Sequence, residues 1–439
     1  METPLPEQFV PWFRAAAPYI HAFRGRTFVV AFGGEVVADG KFVALTHDLN
    51  LLASLGVRLV LIHGSRPQIE AQINLTDTPT RFVRGLRVTD DAALRCVKRA
   101  NGQLRFEIEA LLSTGLPNSP MANATIRVAG GNYVIARPRG VLDGVDLQYT
   151  GEVRRIHAEA IRQRLDDSEM VLLSPIGYSP TGEIFNLIME DLAAETAIAL
   201  HADKLIFLID AAGVIDRLGQ LVRELTVSEA AARLADGDVQ ARDVQAHLPA
   251  AMRACSGLVS RVHLISRHLD GGLLLELFTH AGVGTMVTQN PLEQLRPASI
   301  EDVGAILRLI KPQEADGSLL IRSRELLEIE IDRFCVLEHD GHVMGCAALY
   351  PFPNEQAGEL ACLVVSPDAR NAGAGELLLH AIENKAREQQ MMRLFVLTTR
   401  ATHWFIEHEF GDASVDDLPA EKKAMYNYQR GSKVLVKLL

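Results

Sequence analysis

Cysteine is scarce in this sequence: five residues among 439, odd in number and never in a Cys-x-x-Cys pair. The scatter of Cys96, Cys255, Cys335, Cys346 and Cys362 argues against a disulfide frame and against a zinc site, and leaves the thiols as small core fillers. No run of about 18 apolar residues occurs, so nothing reads as a membrane-spanning helix and no membrane partner is expected. Positive charge is the minority sign, with 44 Lys and Arg against 55 Asp and Glu and a formal net charge of −11. No Lys/Arg-rich block interleaved with aromatics offsets that repulsion, which sets nucleic acid aside as a partner. The N-terminal "METPLPEQFVPWF" has no basic stretch followed by an apolar one, so a cytoplasmic location is the expectation. Two common phosphate loops, GxxxxGK[ST] and GxGxxG, are missing as well.

What is present is apolar residue in quantity, 48%, in a chain long enough for two or three domains. From about Arg26 to Thr288, runs such as "TFVVAFGG", "VRLVLIHG", "MVLLSPIG" and "KLIFLIDAAGV" alternate with helical patterns such as "EDLAAETAIALHA". Buried strands separated by helices indicate an α/β domain with a mainly parallel sheet. Ahead of it, "PEQFVPWFRAAAPYIHAFRG" reads as an apolar-faced helical arm over 1–25, interrupted by Pro11 and Pro18. That arm either packs on its own domain or reaches another subunit. After the α/β domain, 26–288, Asn290-Pro291 suggests a linker over 289–295. The remainder, 296–439, holds "FCVLEHDGHVMGCAALYPF", two strands around a tight turn, then "GELACLVVSP", a helix, "RLFVLTT" and "SKVLVKLL", which predicts a mixed sheet carrying helices.

Between the strand and helix of "LVVSPDARNAGAGELLLHAIENKA" stands a glycine-rich turn. The first turn of a helix has unpaired N–H groups and the positive end of the macrodipole, so this turn can hold an anion, with Gly373 and Gly375 permitting close approach and Arg370 adding charge. Plain turn geometry is the other use of such glycines. The Arg-x-x-Gly-x-Gly form after "LVVSP", with a hairpin upstream, resembles the acetyl-CoA loop of the GNAT acetyltransferases. The resemblance implies that Arg370, Asn371, Ala372, Gly373, Ala374, Gly375 and Glu376 hold the coenzyme A pyrophosphate, and that backbone amides of Leu363, Val364 and Val365 polarise the thioester carbonyl. An amine acceptor arrives as an ammonium and needs a base. Glu359, on the strand before the loop, is the candidate, its other reading being a solvated strand carboxylate. Cys362, three residues on, faces away from Glu359 on a regular strand and toward it only across a bulge of the kind GNAT folds have there, so it lines the site or is a buried structural thiol. Thr398 is the favoured hydrogen-bond donor to the departing thiolate, with Tyr426 and Tyr428 as alternatives.

The chain as a whole resembles the bacterial N-acetylglutamate synthases, an amino-acid-kinase-like domain followed by a GNAT domain. "GLRVTD", "GEVRRI", "DKLIFLIDAAGVI" and "LLLELFTHAGVGTMV" carry the likeness to N-acetylglutamate kinases. The kinase's Lys-x-Gly-Gly reads here Ala31-Phe32-Gly33-Gly34, its phosphate loop His63-Gly64-Ser65-Arg66-Pro67 and its Asn-x-Asn-x-Asp signature Asn186-Leu187-Ile188-Met189-Glu190, with only the later lysine, Lys204, surviving. Phosphoryl transfer is therefore not expected, for want of an ammonium on the developing charge. The resemblance implies instead an L-arginine effector site at Tyr19, Lys204, His263, Glu276 and Gly282, with Glu276 suited to a guanidinium. It also implies L-glutamate as the acceptor, its carboxylates held by Arg322, Arg430 and Ser432, with Arg324 and Lys433 in reserve. Acetyl transfer from acetyl-CoA to glutamate without metal, at the head of arginine synthesis and inhibited by arginine, in a homo-oligomer, a hexamer by resemblance, is the function expected. A kinase-type phosphotransferase and a non-catalytic arginine sensor are the alternatives.

Overall fold

The structure is a computed structural model that describes residues 6–279, 282–339, 341–367 and 373–439. It divides into two compact units, Met1–Asn290 and Pro291–Leu439.

In the first unit the apolar runs become the strands of an eight-stranded sheet. These are β1 (Thr27–Phe32), β2 (Arg58–His63), β3 (Val128–Ala129), β4 (Met170–Leu173), β5 (Lys204–Ile209), β6 (Glu224–Thr226), β7 (Arg261–Ser266) and β8 (Thr285–Thr288). Their order is β6–β8–β7–β5–β1–β2–β4–β3, parallel throughout except for β7 against β8. Side chains of β1 alternate between two apolar clusters. Val29 and Ala31 join one that includes helix Met189–Leu200, while Phe28, Val30 and Phe32 join another that includes Leu104 of helix Asp91–Leu112. Burial on both faces is why these strands read as continuous apolar runs rather than alternating ones. A four-stranded sheet, Val134–Pro138, Gly151–Ile156, Ile176–Tyr178 and Ile184–Asn186, and two short two-stranded hairpins accompany the eight-stranded sheet.

Helix α1 (Pro6–Phe23) runs unbroken through Pro11 and Pro18, where an interruption was expected. Each proline removes one backbone hydrogen bond. The turns toward its end are nevertheless anchored, because Ala16, Tyr19, Ile20 and Phe23 pack on the cluster that contains Phe28.

The second unit is a seven-stranded mixed sheet of β9 (Glu293–Pro297), β10 (Phe334–His339), β11 (His342–Phe352), β12 (Ala357–Val365), β13 (Arg393–Thr398), β14 (Gly411–Ala413) and β15 (Lys433–Leu438). Their order is β9–β10–β11–β12–β13–β15–β14, antiparallel except for the parallel pair β12–β13. Strand pairing begins at Glu293, inside the span 289–295 expected as linker. Helix α2 (Val303–Ala315) covers one face of the sheet and α3 (Ala374–Glu388) the other.

Candidate active site

Two irregularities of β12 shape the site. The first is its pairing with β13, which covers only Ala357↔Arg393, Gly358↔Leu394 and Glu359↔Phe395. Beyond Glu359 the strands part, while β13 continues to Thr398 against β15, so a wedge opens with Glu359 at its apex. The second is a bulge. Ala361 lies opposite Ala348 and Val364 opposite Cys346, so both Cys362 and Leu363 face Ala347. Cys362 takes a positive φ of 51°, rare for a residue with a side chain. The extra residue resets the alternation. Leu360 packs in the cluster beneath α3, yet Cys362 and Val364 pack in the opposite cluster, with Cys346 and Ala348. Cys362 therefore shares the face of Glu359, as the bulge reading requires.

Around that apex the polar groups are partnered with one another. Glu359, 7% exposed, forms an ion pair with Lys422, whose Nζ lies 2.7 Å from Oε2. Arg322, brought in by the loop before helix Arg324–Glu330, faces Cys362, Tyr350 and Glu359. Its backbone N–H donates to Glu314 Oε1 at 2.8 Å and its Nη1 to the Leu320 carbonyl at 3.1 Å. Tyr350, opposite Glu359 across β11–β12, donates to Glu330 Oε2 at 2.6 Å. Burial pushes the Cys362 thiol up to about 11, with Arg322 opposing and Glu314, Glu359 and Glu330 adding to the rise. It is a neutral thiol near pH 7, a wall of the site rather than a nucleophile.

Arg430 belongs to the same group, because its Nη2 donates to the Ser318 carbonyl, on the segment that leads to Arg322. Its Nε is buried without a partner among the described residues, a donor left over for a ligand. Ser432 is buried, and its carbonyl accepts from the Tyr426 hydroxyl at 2.5 Å. Arg324 pairs with Glu328 at 2.7 Å on an exposed helix face. Thr398 is placed apart from Glu359. By strand alternation it shares the side of Val396, which packs beneath α3, and its Oγ1 accepts from the N–H of Ala401 at 3.0 Å. Tyr428 is largely exposed, its ring edge-on to Tyr426 at 4.9 Å.

Arg370, Asn371 and Ala372 lie outside the described residues. Gly373 precedes α3 with φ 79°. Gly375 has a packing reason beyond anion access, since a Cβ there would sit 3.2 Å from the Trp404 ring. Glu376, in the first turn of α3, lies 3.4 Å from His408 Nε2.

In the first unit the five expected effector residues converge. His263 Nδ1 donates to Glu276 Oε1 at 2.7 Å, Lys204 Nζ lies 3.3 Å from His263 Nε2, and Glu276 Oε2 accepts from the N–H groups of Val283 and Gly284. Gly282 has φ 60°, and a Cβ there would meet Glu276 Oε2 at 2.7 Å. Tyr19 reaches the group from α1 through Arg261. Burial, then the Lys204 ammonium, pushes His263 down to about 4. Burial likewise brings Lys204 down to about 7. For Glu276 burial works upward, but the His263 hydrogen bond and the two N–H groups outweigh it and hold the carboxyl at about 2. Arg261 had no part in the sequence reading, although it stands two residues before His263 and so on the same strand face, next to Lys204 in register.

The kinase-type cavity persists at about 730 Å³, lined by Gly33, Gly34, Gly64, Ser65, Arg87 and Asn186 among others, with no lysine among its described lining residues. Ala31 is buried in β1. Lys204, the lysine that survives in sequence, stands at the start of β5, whereas it is the strand's end, at Leu208 and Ile209, that lines the cavity. At ~3.3 Å per residue the two are roughly 15 Å apart, so Lys204 belongs to the His263–Glu276 group instead.

Comparison with known proteins agrees with both units. Residues 26–266 match the amino acid kinase family, and residues 303–411 match the acetyltransferase (GNAT) family. An amino-acid acetyltransferase of Ralstonia nicotianae is 54% identical over 437 residues, covering 100% of this chain and 97% of that protein. Its counterpart in Ectopseudomonas mendocina is 52% identical over 98% of this chain and 99% of its own. Among solved structures, N-acetylglutamate synthase of Neisseria gonorrhoeae complexed with coenzyme A and L-arginine superposes with a TM-score of 0.91 at 39% identity, covering 98% of this chain and 99% of that one. The same enzyme complexed with coenzyme A and N-acetyl-glutamate gives 0.63 at equal identity and coverage.

Proposed function

Because the chain belongs to the amino-acid acetyltransferase family, we propose that it transfers the acetyl group of acetyl-CoA to the amine of L-glutamate, the first step of arginine synthesis, under feedback inhibition by L-arginine. The observation that carries this reading is the parted strand pair with a buried carboxylate at its apex. A thioester threaded into the wedge lies beside Glu359, and an amino acid held by Arg322 brings its nitrogen to the same point.

Glu359 takes a proton from the glutamate ammonium, and the freed lone pair attacks the thioester carbon. The carbonyl electrons move to oxygen, where N–H groups of Leu363, Val364 and Val365 at the bulge hold the charge. Collapse breaks the C–S bond, coenzyme A leaves as thiolate, and the second proton of the attacking nitrogen passes to that sulfur, leaving the neutral amide and the free thiol. The Thr398 hydroxyl accepts from Ala401 and keeps its own hydrogen to donate to that sulfur, with the Tyr428 hydroxyl and, once freed from the Ser432 carbonyl, the Tyr426 hydroxyl as the alternatives. Arg322, Arg430 with its unpartnered Nε, and Ser432 take the glutamate carboxylates. Arg370 to Glu376 cradle the pyrophosphate at the start of α3.

Arginine is assigned to the Tyr19, Lys204, His263, Glu276 and Gly282 group, where its guanidinium would compete with His263 for Glu276. The half-exposed Phe9, Val10, Trp12 and Phe13 of α1 support self-association, read as a hexamer, of a cytoplasmic enzyme. The test is thiol release from acetyl-CoA with and without glutamate and arginine, alongside an ATP-dependent product assay. Glutamate-dependent release suppressed by arginine is expected. Release indifferent to glutamate, or phosphorylated product, would overturn the reading.

A further inference from the structure

Three carboxylates, Glu314, Glu330 and Glu359, converge on Cys362, and Glu314 and Glu359 reach Arg322 as well. Each has its own donor. Glu314 takes the Arg322 backbone N–H, Glu330 takes the Tyr350 hydroxyl and Arg333, and Glu359 takes Lys422. Lys422 comes from the short helix α4 (Ala420–Ala424), which is tethered on both sides of that lysine. Ala420 N–H donates to Glu355 Oε1, and Lys423 pairs with Asp416. The Lys422–Glu359 pair is largely buried, with 18% and 10% of the two side chains exposed, and the ammonium sits at Oε2.

We propose that Lys422 is the positioning residue of the base, holding Glu359 by Oε2 so that Oε1 points at the acceptor amine. This rests on Glu359 being the base. A carboxylate on a strand swings about several bonds, and proton transfer needs it within about 2.6–3.2 Å of the ammonium. A buried ammonium 2.7 Å from one oxygen removes that freedom. When substrate engages Arg322, Lys422 is the cation that remains on Glu359. The groups facing Glu359 are Lys422 from α4, Arg322 from its loop, Tyr350 from β11 and Cys362 from its own strand.

The test uses the full chain with Lys422→Met and Lys422→Arg, assayed by thiol release across pH, with folding checked by circular dichroism. Lys422→Met should lower kcat at pH 7 by about ten- to a hundredfold, leave the acetyl-CoA KM within about twofold and move the acid limb of the profile to higher pH. Lys422→Arg should restore most of the rate and the original limb. A folded Lys422→Met with the wild-type rate and profile overturns the proposal, and so does a loss with an unmoved limb that arginine does not repair. Wild-type protein that fails to acetylate glutamate sinks the proposed function itself, and Lys422 with it.

Discussion

Glu359 is useful to an acetyl transfer only if it is aimed and shielded, and burial at 7% exposure beside Lys422 supplies both. Glu359→Gln keeps the shape and removes the proton acceptor. Turnover should fall by about 10²–10⁴ with the acetyl-CoA KM unchanged, as read by steady-state thiol release. In the His263–Glu276 group, His263 stays neutral down to about pH 4, whereas an unfolded histidine takes up its proton near ~6.5. Over that window the unfolded state binds more protons, so stability drains away as pH falls from about 6.5 toward 4. Glu276, held at about 2, extends the loss to lower pH in the same sense. Melting temperatures between pH 7 and 4 should therefore decline less steeply in His263→Gln than in wild type. Equal slopes would show that His263 is not the group responsible. At this scale the sequence reading could name residues that sit in recognisable runs, such as Glu359 before its loop, and passed over those delivered by a distant element. Lys422 lies in "AEKKAMYNYQ", which reads as a solvated helix face, and only the closing of β15 beside β13 brings that segment back to β12.

Elements explain why the strand order alone leaves the site undetermined. Periodicity shows that β12 is a strand, yet not where its alternation resets, because a bulge is a matter of pairing register against β11. The φ of 51° at Cys362 is the cost of that reset. Cys362→Val adds apolar bulk that burial would reward, but a β-branched residue fits this conformation poorly. Denaturant unfolding should show a loss of about 1–3 kcal/mol for valine and a smaller one for alanine, the reverse of the order that burial predicts. Helix α1 teaches the opposite lesson. Prolines that local rules take as breaks were overridden by the packing of Phe23 against Phe28 and Phe278.

On the scale of the whole molecule, fold class and the order of the two units were legible, because each unit's strand rhythm is distinct in sequence. Each unit also contains its own apolar clusters, which is what independent folding requires. Residues 291–439 expressed alone should unfold as one cooperative transition by circular dichroism and show no response to arginine. A fragment without such a transition would refute that autonomy. The wedge between β12 and β13 has a last consequence. A sheet with a vacant place leaves main-chain groups that water satisfies poorly, and the pantetheine arm of the coenzyme has amides of its own to offer them. The coenzyme then serves as a removable strand, and scanning calorimetry should find the melting point climbing with its concentration, by about 2.7 kcal/mol in stability at a hundredfold excess over Kd. A cell depleted of the carrier would hold the same protein in a softer form, more readily cut by proteases, so that metabolite supply sets the enzyme's lifetime as well as its rate.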